Sequence, residues 1–130
     1  MLLNKDVIIK VSEKAKKSAR LRMNYNLHES SRDIVQRMFN AIEPGSIIPI
    51  ARHQKCNETL ILIQGKLRVL IYNNQKGIIE DVILDNTVGN IGYHIPKGVW
   101  HTVESLEKGT VLFETREGPY EPVKPEDILE

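Results

Sequence analysis

Short apolar runs separated by turn residues dominate the chain after residue 45. Each run is rich in β-branched or other apolar residues, which favour strands, and the gaps contain glycine, asparagine, aspartate or lysine, which favour turns. Runs of this kind at a spacing of roughly 8–12 residues are typical of an all-β sandwich or barrel. The predicted strands are residues 47–50, 58–63, 66–72, 78–84, 92–95, 100–105 and 110–117.

The segment before these strands is less regular. Residues 11–19 contain good helix formers but no strong apolar stripe, so residues 1–28 are predicted to form an irregular arm that packs on the barrel and can include a short helix. One helical turn is expected near residues 31–35. A further strand is expected over about residues 36–43, because Glu43-Pro44-Gly45 then makes a turn.

The tail after Gly118 contains three prolines and is therefore expected on the surface rather than in a central strand. Pro125 can begin a short helix, because proline is tolerated in a first helical turn. A chain of 130 residues is long enough for one core and too short for two domains. We predict a single domain over residues 1–130, with an arm over 1–35, a barrel over 36–117 and a surface tail over 118–130.

Composition and charge exclude several classes of partner. The chain has 18 basic and 17 acidic residues, so it has no field that would attract nucleic acid or an anionic membrane. No stretch approaches the ~20 apolar residues that a membrane span needs. Cys56 is the only cysteine, and near the N-terminus charge precedes any apolar run that could serve as a signal peptide. We expect a cytoplasmic protein without nucleic-acid or membrane partners.

Two fragments of the chain carry candidate metal ligands. His53 precedes Glu58 at the start of one predicted strand, and His101 stands at the start of another. Glu58 shares a strand face with Leu60 and Leu62, and a carboxylate on an apolar inner face needs a partner such as a cation. Two imidazoles and one carboxylate suit a divalent transition metal such as zinc, iron, manganese or nickel. The alternative is a polar pocket held by hydrogen bonds without a metal.

Other polar residues are candidates for ligand binding or proton transfer. The arm alternates polar side chains at period two, as an extended segment lining one wall of a cavity would, although a solvated arm gives the same pattern. Glu114 and Arg116 share a strand face, so one of these charges must be paired or lie at a rim. The predicted substrate-binding residues are Arg20, Arg22, Asn24, Asn26 and Tyr120, and the predicted catalytic residues are His28 and His94.

Glycines and prolines stand at regular distances from the candidate ligands. The two sets are Gly45, Ala51, His53, Glu58 and Gly65, and Asn90, Pro96, Gly98, His101 and Ser105. This arrangement resembles the two motifs of the cupin superfamily. In that resemblance Ala51 takes the place of the first histidine, Asn90 that of a glycine and Ser105 that of an asparagine. Three of the four expected metal ligands are present, and His28, then His94, is expected to replace the fourth.

Further segments look like the WbuC-type small cupin metalloproteins associated with bacterial surface-polysaccharide gene clusters. These segments are residues 20–28, 36–37, 98–102, 105–107 and 113–120. The resemblance implies a double-stranded β-helix, the jelly-roll cupin barrel, with an N-terminal arm and short helical segments. It also implies a homodimer, as is usual for small cupins.

The function implied by the resemblance is to bind or convert a small polar metabolite. The first candidate is a sugar or sugar-nucleotide intermediate of surface-polysaccharide biosynthesis, and the chemistry, if the protein is an enzyme, is isomerisation or epimerisation. The first alternative is a non-catalytic ligand-binding or sensing cupin with a degenerate metal site. The second is an Fe(II) dioxygenase, because the same three ligands serve Fe(II) and O₂.

Overall fold

A computed structural model describes residues 1–129. Its elements are one helix, ten strands and two single turns of 3₁₀-helix over Asn86–Val88 and Pro125–Asp127. The helix α1 covers Lys5–Lys17, and the strands are β1 (Arg22–Asn26), β2 (Val35–Ile42), β3 (Ile50–Ala51), β4 (Glu58–Gln64), β5 (Leu67–Tyr72), β6 (Ile78–Leu84), β7 (Gly92–Ile95), β8 (Trp100–Ser105), β9 (Val111–Glu117) and β10 (Ile128–Leu129).

The strands form two antiparallel sheets that share one core. One sheet has the order β1-β2-β9-β4-β7 and the other has the order β10-β3-β8-β5-β6. Consecutive strands repeatedly alternate between the sheets, as in a jelly roll. The prediction of an all-β jelly-roll barrel with short helical segments is confirmed.

The core lies between the sheets because alternate residues of each strand point inward. Leu67 and Val69 of β5 are fully buried against Leu60 of β4 and Leu112 of β9. Burying a side chain of this size contributes about 1.5–3 kcal/mol. Leu70 is also buried within the single chain, so it adds no exposed apolar surface to β5.

The N-terminal segment is more regular than predicted. Instead of an irregular arm, α1 runs for 13 residues, begins where the Asn4 side chain accepts a hydrogen bond from the Asp6 amide, and buries Val11 and Ala15. These two residues pack with Phe39 in a second, smaller core. β1 pairs along its whole length with β2. It is the first strand in the order of the first sheet and therefore forms one edge of that sheet.

Two local predictions were wrong. Residues 31–35 do not form a helical turn. The Ser30 side chain accepts a hydrogen bond from the Arg32 amide, and the Asp33 side chain accepts one from the Glu29 amide. These bonds stabilise a tight turn in competition with a helix. The predicted strand over 47–50 is reduced to β3, because Pro49 lacks an amide hydrogen to donate to a sheet.

The tail folds back on the barrel and ends in β10, which pairs with β3. Its anchor is Asp127, which accepts hydrogen bonds from Arg52 Nε at 2.9 Å and Gln54 Nε2 at 2.6 Å. Pro125 begins only one 3₁₀ turn rather than a longer helix. Across residues 1–129, no helix combines the length and apolar character needed to cross a membrane.

Candidate metal centre and cavity

Three side chains meet where β3, β4 and β8 approach one another. His53 follows β3, Glu58 is the first residue of β4, and His101 lies in β8 opposite Ala51 of β3. One ligand atom from each side chain lies within 4.8 Å of the others. Glu58 Oε1 is 2.7 Å from His53 Nε2 and 3.7 Å from His101 Nε2. Two imidazole nitrogens and a carboxylate oxygen therefore face a common point.

The hydrogen bonds around these groups fit a metal ion. His101 Nδ1 lies 2.9 Å from the carbonyl oxygen of Val99, and donation to this carbonyl leaves the Nε2 lone pair free on the side of Glu58. Glu58 Oε1 is buried and makes no hydrogen bond of acceptable geometry, despite its closeness to His53. A buried carboxylate oxygen without a hydrogen bond between two imidazoles is well placed to bind a divalent transition metal.

The electrostatics of the cluster favour the protonation states that metal binding requires. Burial alone raises the pKa of Glu58, but His53, His101 and Arg116 lower it by more, so the net pKa lies below its ordinary value. The pKa of His101 is lowered, because burial disfavours the imidazolium more than Glu58 stabilises it. A carboxylate and a neutral imidazole are the metal-binding forms of these side chains.

Ala51 lies beside this cluster and lines the same cavity. Its position directly across from His101 places a methyl group where the cupin pattern has its first histidine. Cys56 is not part of the donor cluster that His53, Glu58 and His101 form. The pKa of its thiol is raised, first by burial and then by Glu58, so it is a protonated thiol at neutral pH and a weak ligand.

The cluster opens into a cavity of about 700 Å³ between the two sheets. The residues predicted to bind substrate all line this cavity: Arg20, Arg22, Asn24, Asn26 and Tyr120. Arg22 Nη1 donates to the carbonyl oxygen of Ile47 at 2.8 Å. The pKa of Arg22 is lowered by burial and by the nearby charge of Arg20. Within residues 1–129 neither arginine forms a salt bridge, so this wall of the cavity is positively charged.

A second ionic pair lies deeper in the cavity, on β9. Glu114 stands opposite Met38 of β2 and Leu60 of β4, and Arg116 stands opposite Glu58. Arg116 Nη2 is 3.3 Å from Glu114 Oε2. Burial, with a contribution from the charge of Glu58, raises the pKa of Glu114 to about 7. Strand parity placed both side chains on one face of β9, and the contact between them shows that they are paired with each other.

Comparisons with known proteins identify the family. A family model described as WxcM-like, C-terminal matches residues 50–124, and a model described as a domain of unknown function, DUF6016, matches residues 3–84. The chain belongs to both families. The WxcM-like match contains all three candidate metal ligands, whereas the DUF6016 match contains α1 and the arginine-bearing wall. No curated protein matches the sequence significantly.

Solved structures show the same fold at low sequence identity. The capsular polysaccharide assembling protein CapF from Staphylococcus aureus is 19% identical over 82% of this chain and 28% of its own, with a TM-score of 0.66. BH2720 from Bacillus halodurans is 18% identical over 95% and 84% of the two chains, with a TM-score of 0.64. A cupin-2 domain protein from Shewanella frigidimarina is 18% identical over 73% and 79%, with a TM-score of 0.55. This WxcM-like chain therefore has the cupin fold.

The structure separates the two histidines predicted to be catalytic. His28 lines the cavity, but its Nδ1 lies 3.0–3.1 Å from the backbone oxygen and nitrogen of Arg37, and it does not join the donor cluster. His94 does not face the cavity, so that expectation was wrong. Its neighbour Ile95 points into the core, which turns His94 to the outer face, where it hydrogen-bonds to Thr59. Neither histidine replaces the ligand missing at Ala51.

Proposed function

We propose that this WxcM-like chain is a small metal-binding cupin that converts a sugar or sugar-nucleotide intermediate of surface-polysaccharide biosynthesis. The observation that carries the proposal is the convergence of His53, Glu58 and His101 on one point of a cavity of about 700 Å³. The WxcM-like family match and the likeness to CapF, a capsular polysaccharide assembling protein, support the substrate class. We further propose that the chain is of the WbuC type and acts in the cytoplasm as a single domain.

His53, Glu58 and His101 would hold the metal. These three ligands would leave positions open for a substrate carbonyl or hydroxyl pair, and a metal bound there would supply Lewis-acid polarisation of that group. Ala51 leaves space beside His101 for such a group. Isomerisation or epimerisation then needs a proton to leave one carbon beside the carbonyl and to return there or to its neighbour.

The arm supplies the positive wall that a charged substrate requires. Burial, and then the charge of Arg20, lower the pKa of Arg22, and neither arginine has a carboxylate partner in residues 1–129. Paired guanidinium groups suit phosphate, the anionic group of a sugar nucleotide. The Asn24 amide donates to the Asn26 side chain at 2.8 Å, so both amides are oriented beside the arginines. We propose that this wall holds the phosphate groups, and that His28 and Tyr120 lie at its mouth.

Metal content and proton exchange test the proposal together. The purified protein is expected to contain about one transition-metal ion per chain, and to incorporate deuterium from D₂O into a keto-sugar nucleotide beside its carbonyl. Glu58→Gln should remove both the metal and the exchange. The matched control is His94→Gln, which changes a titratable residue on the outer face and should leave both unchanged. A wild-type protein that binds no metal and exchanges no proton contradicts the proposal.

A non-catalytic binding protein is the second candidate, and the methyl group of Ala51 favours it. Such a protein would bind the same nucleotides without exchange of deuterium. The two-histidine, one-carboxylate donor set also serves Fe(II) oxygenases, and oxygen consumption by the iron-loaded protein would favour that reaction instead.

We also propose a homodimer formed through the outer edge of the second sheet. β6 is the last strand of that sheet, and it exposes Ile78, Ile79 and Ile83. An exposed apolar edge of this kind favours pairing with another strand. Light scattering should therefore give twice the chain mass, and a particle of 14.9 kDa contradicts the dimer.

A further inference from the structure

Three buried side-chain atoms within residues 1–129 have no hydrogen-bond partner, and all three belong to residues that line the same cavity. They are Glu58 Oε1, Glu114 Oε2 and Arg116 Nε. The first belongs to the candidate metal centre. The other two belong to residues outside the set of three candidate ligands, and neither atom makes a hydrogen bond that holds the fold together.

Such atoms are costly to the folded protein. A buried polar group without a partner costs about 1–3 kcal/mol, and more when it is charged. Glu114 is only 8% exposed, and its 3.3 Å contact with Arg116 does not satisfy either free atom. Buried groups left in this state are rare in proteins, and a cavity is where a ligand can satisfy them.

The position of the pair decides what it would bind. Arg116 stands directly across from Glu58, so the pair is one cross-strand step from the metal centre. A phosphate there would be repelled by Glu114, and a cation would be repelled by Arg116. A neutral ligand with adjacent oxygens, at least one of them a hydroxyl, suits both side chains, because a hydroxyl can donate to a carboxylate while a second oxygen accepts from a guanidinium.

We infer that Glu114 and Arg116 form a second ligand subsite beside the metal centre. There a hydroxyl of a polyhydroxylated ligand donates to the Glu114 carboxylate, and a neighbouring oxygen accepts from the Arg116 guanidinium. This inference deepens the proposed function and rests on it for the identity of the ligand. It orients that ligand, with the sugar ring between β9 and the metal centre and the phosphates against Arg20 and Arg22.

The stability of the free protein tests the subsite without any ligand. Replacing both side chains by unbranched apolar ones, Glu114→Met with Arg116→Met, removes both unsatisfied atoms and keeps the net charge when the proteins are compared at pH 8. If the pair exists for a ligand, the melting temperature should rise by about 3 °C or more, because replacing a poorly satisfied buried ion pair is often stabilising. An unchanged or lower melting temperature, including failure to fold, would show that the pair is structural and would overturn the inference.

A second ion pair provides the matched control. Arg68 and Asp81 make two good hydrogen bonds, at 2.9 Å and 2.6 Å, on the exposed side of β5 and β6. Changing both to methionine removes a satisfied pair, so the melting temperature should stay the same or fall. A rise as large as that of the cavity variant would mean that methionine stabilises this barrel generally, and the stability result would then count against the subsite.

A binding experiment separates this inference from the proposed function. The probes are a nucleotide-linked hexose and the corresponding nucleoside diphosphate without the sugar. In Glu114→Gln with Arg116→Gln, the extra rise in melting temperature that the hexose gives over the diphosphate should disappear, while the rise given by the diphosphate remains. Retention of the full rise overturns the subsite. If no nucleotide-linked hexose stabilises the wild-type protein, the proposed function fails, and the methionine variants alone decide the subsite.

Discussion

Glu114→Gln should change how the stability of the protein depends on pH. Burial between Met38 and Leu60, with the charge of Glu58 nearby, raises the pKa of Glu114 from 4.5 to about 7. The folded protein therefore binds more protons than the unfolded chain between these values. Stability from this group is fully present below pH 4.5 and is lost as the pH rises through about 7. Glutamine does not titrate, so the variant lacks this loss.

The size of the effect follows from the two pKa values. At about 1.36 kcal/mol for each pH unit, the wild type should lose about 2.5 kcal/mol of unfolding free energy relative to Glu114→Gln between pH 5 and pH 8. Urea unfolding of both proteins at four pH values in this range, with a chelator present, measures the difference. Loss of the contact with Arg116 adds a constant amount to the difference in unfolding free energy between the two proteins. The prediction therefore concerns only how this difference changes with pH.

Glu117, on the same strand, provides a control of opposite sign. Hydrogen bonds from the backbone and side chain of Asn57 lower its pKa, so stability from Glu117 is present above its ordinary pKa and is lost as the pH falls through the lowered value. The difference between the wild type and Glu117→Gln should therefore move in the other direction at acidic pH. A difference between the wild type and Glu114→Gln that does not change between pH 5 and pH 8 would show that Glu114 is well solvated and would refute the reasoning.

Three further substitutions, one of them a control, test the backbone and the metal centre. Gly65→Ala should cost about 2–4 kcal/mol of unfolding free energy, because φ is +89° and a Cβ would lie 2.6 Å from Thr110 Cα. The control Gly89→Ala, at φ +81° with open space around the Cβ, should cost only about 1 kcal/mol. Equal losses of the two variants in chemical unfolding would exclude the steric explanation. Ala51→His should tighten zinc binding by about tenfold or more, because it adds an imidazole directly across from His101. An unchanged zinc affinity in a competition titration would show that a side chain at this position does not reach the ion.

The barrel was predictable because its strands carry local signals. The bounds of β6, β7 and β8 agree with the predicted residues, since each strand is a short apolar run between turn residues. The first 28 residues lack such a signal. β1 exists because it pairs with β2, a contact between distant residues, and α1 is held by Val11 and Ala15 against a core that the sequence does not show.

The site was predictable only in part, for a similar reason. Motif spacing indicated His53, Glu58 and His101, and alternation indicated the arginine-bearing wall. His94 was placed on the wrong face, because its short strand gives no internal evidence of which parity points inward. Alternation placed Glu114 and Arg116 on one strand face, but their contact depends on side-chain conformation, and the position of Arg116 beside Glu58 depends on the register of β9 with β4.

The wall and the donor cluster belong to separable parts of the chain. His53, Glu58 and His101 are fixed by strands of the central barrel, whereas Arg22, Asn24 and Asn26 lie on an edge strand that pairs only with β2. Substitutions on an edge strand disturb few neighbours. Under the proposed function, the surface that selects the ligand can therefore change without disturbing the candidate metal ligands, and exchanging residues 20–26 with those of a family member should alter ligand preference while metal binding stays the same.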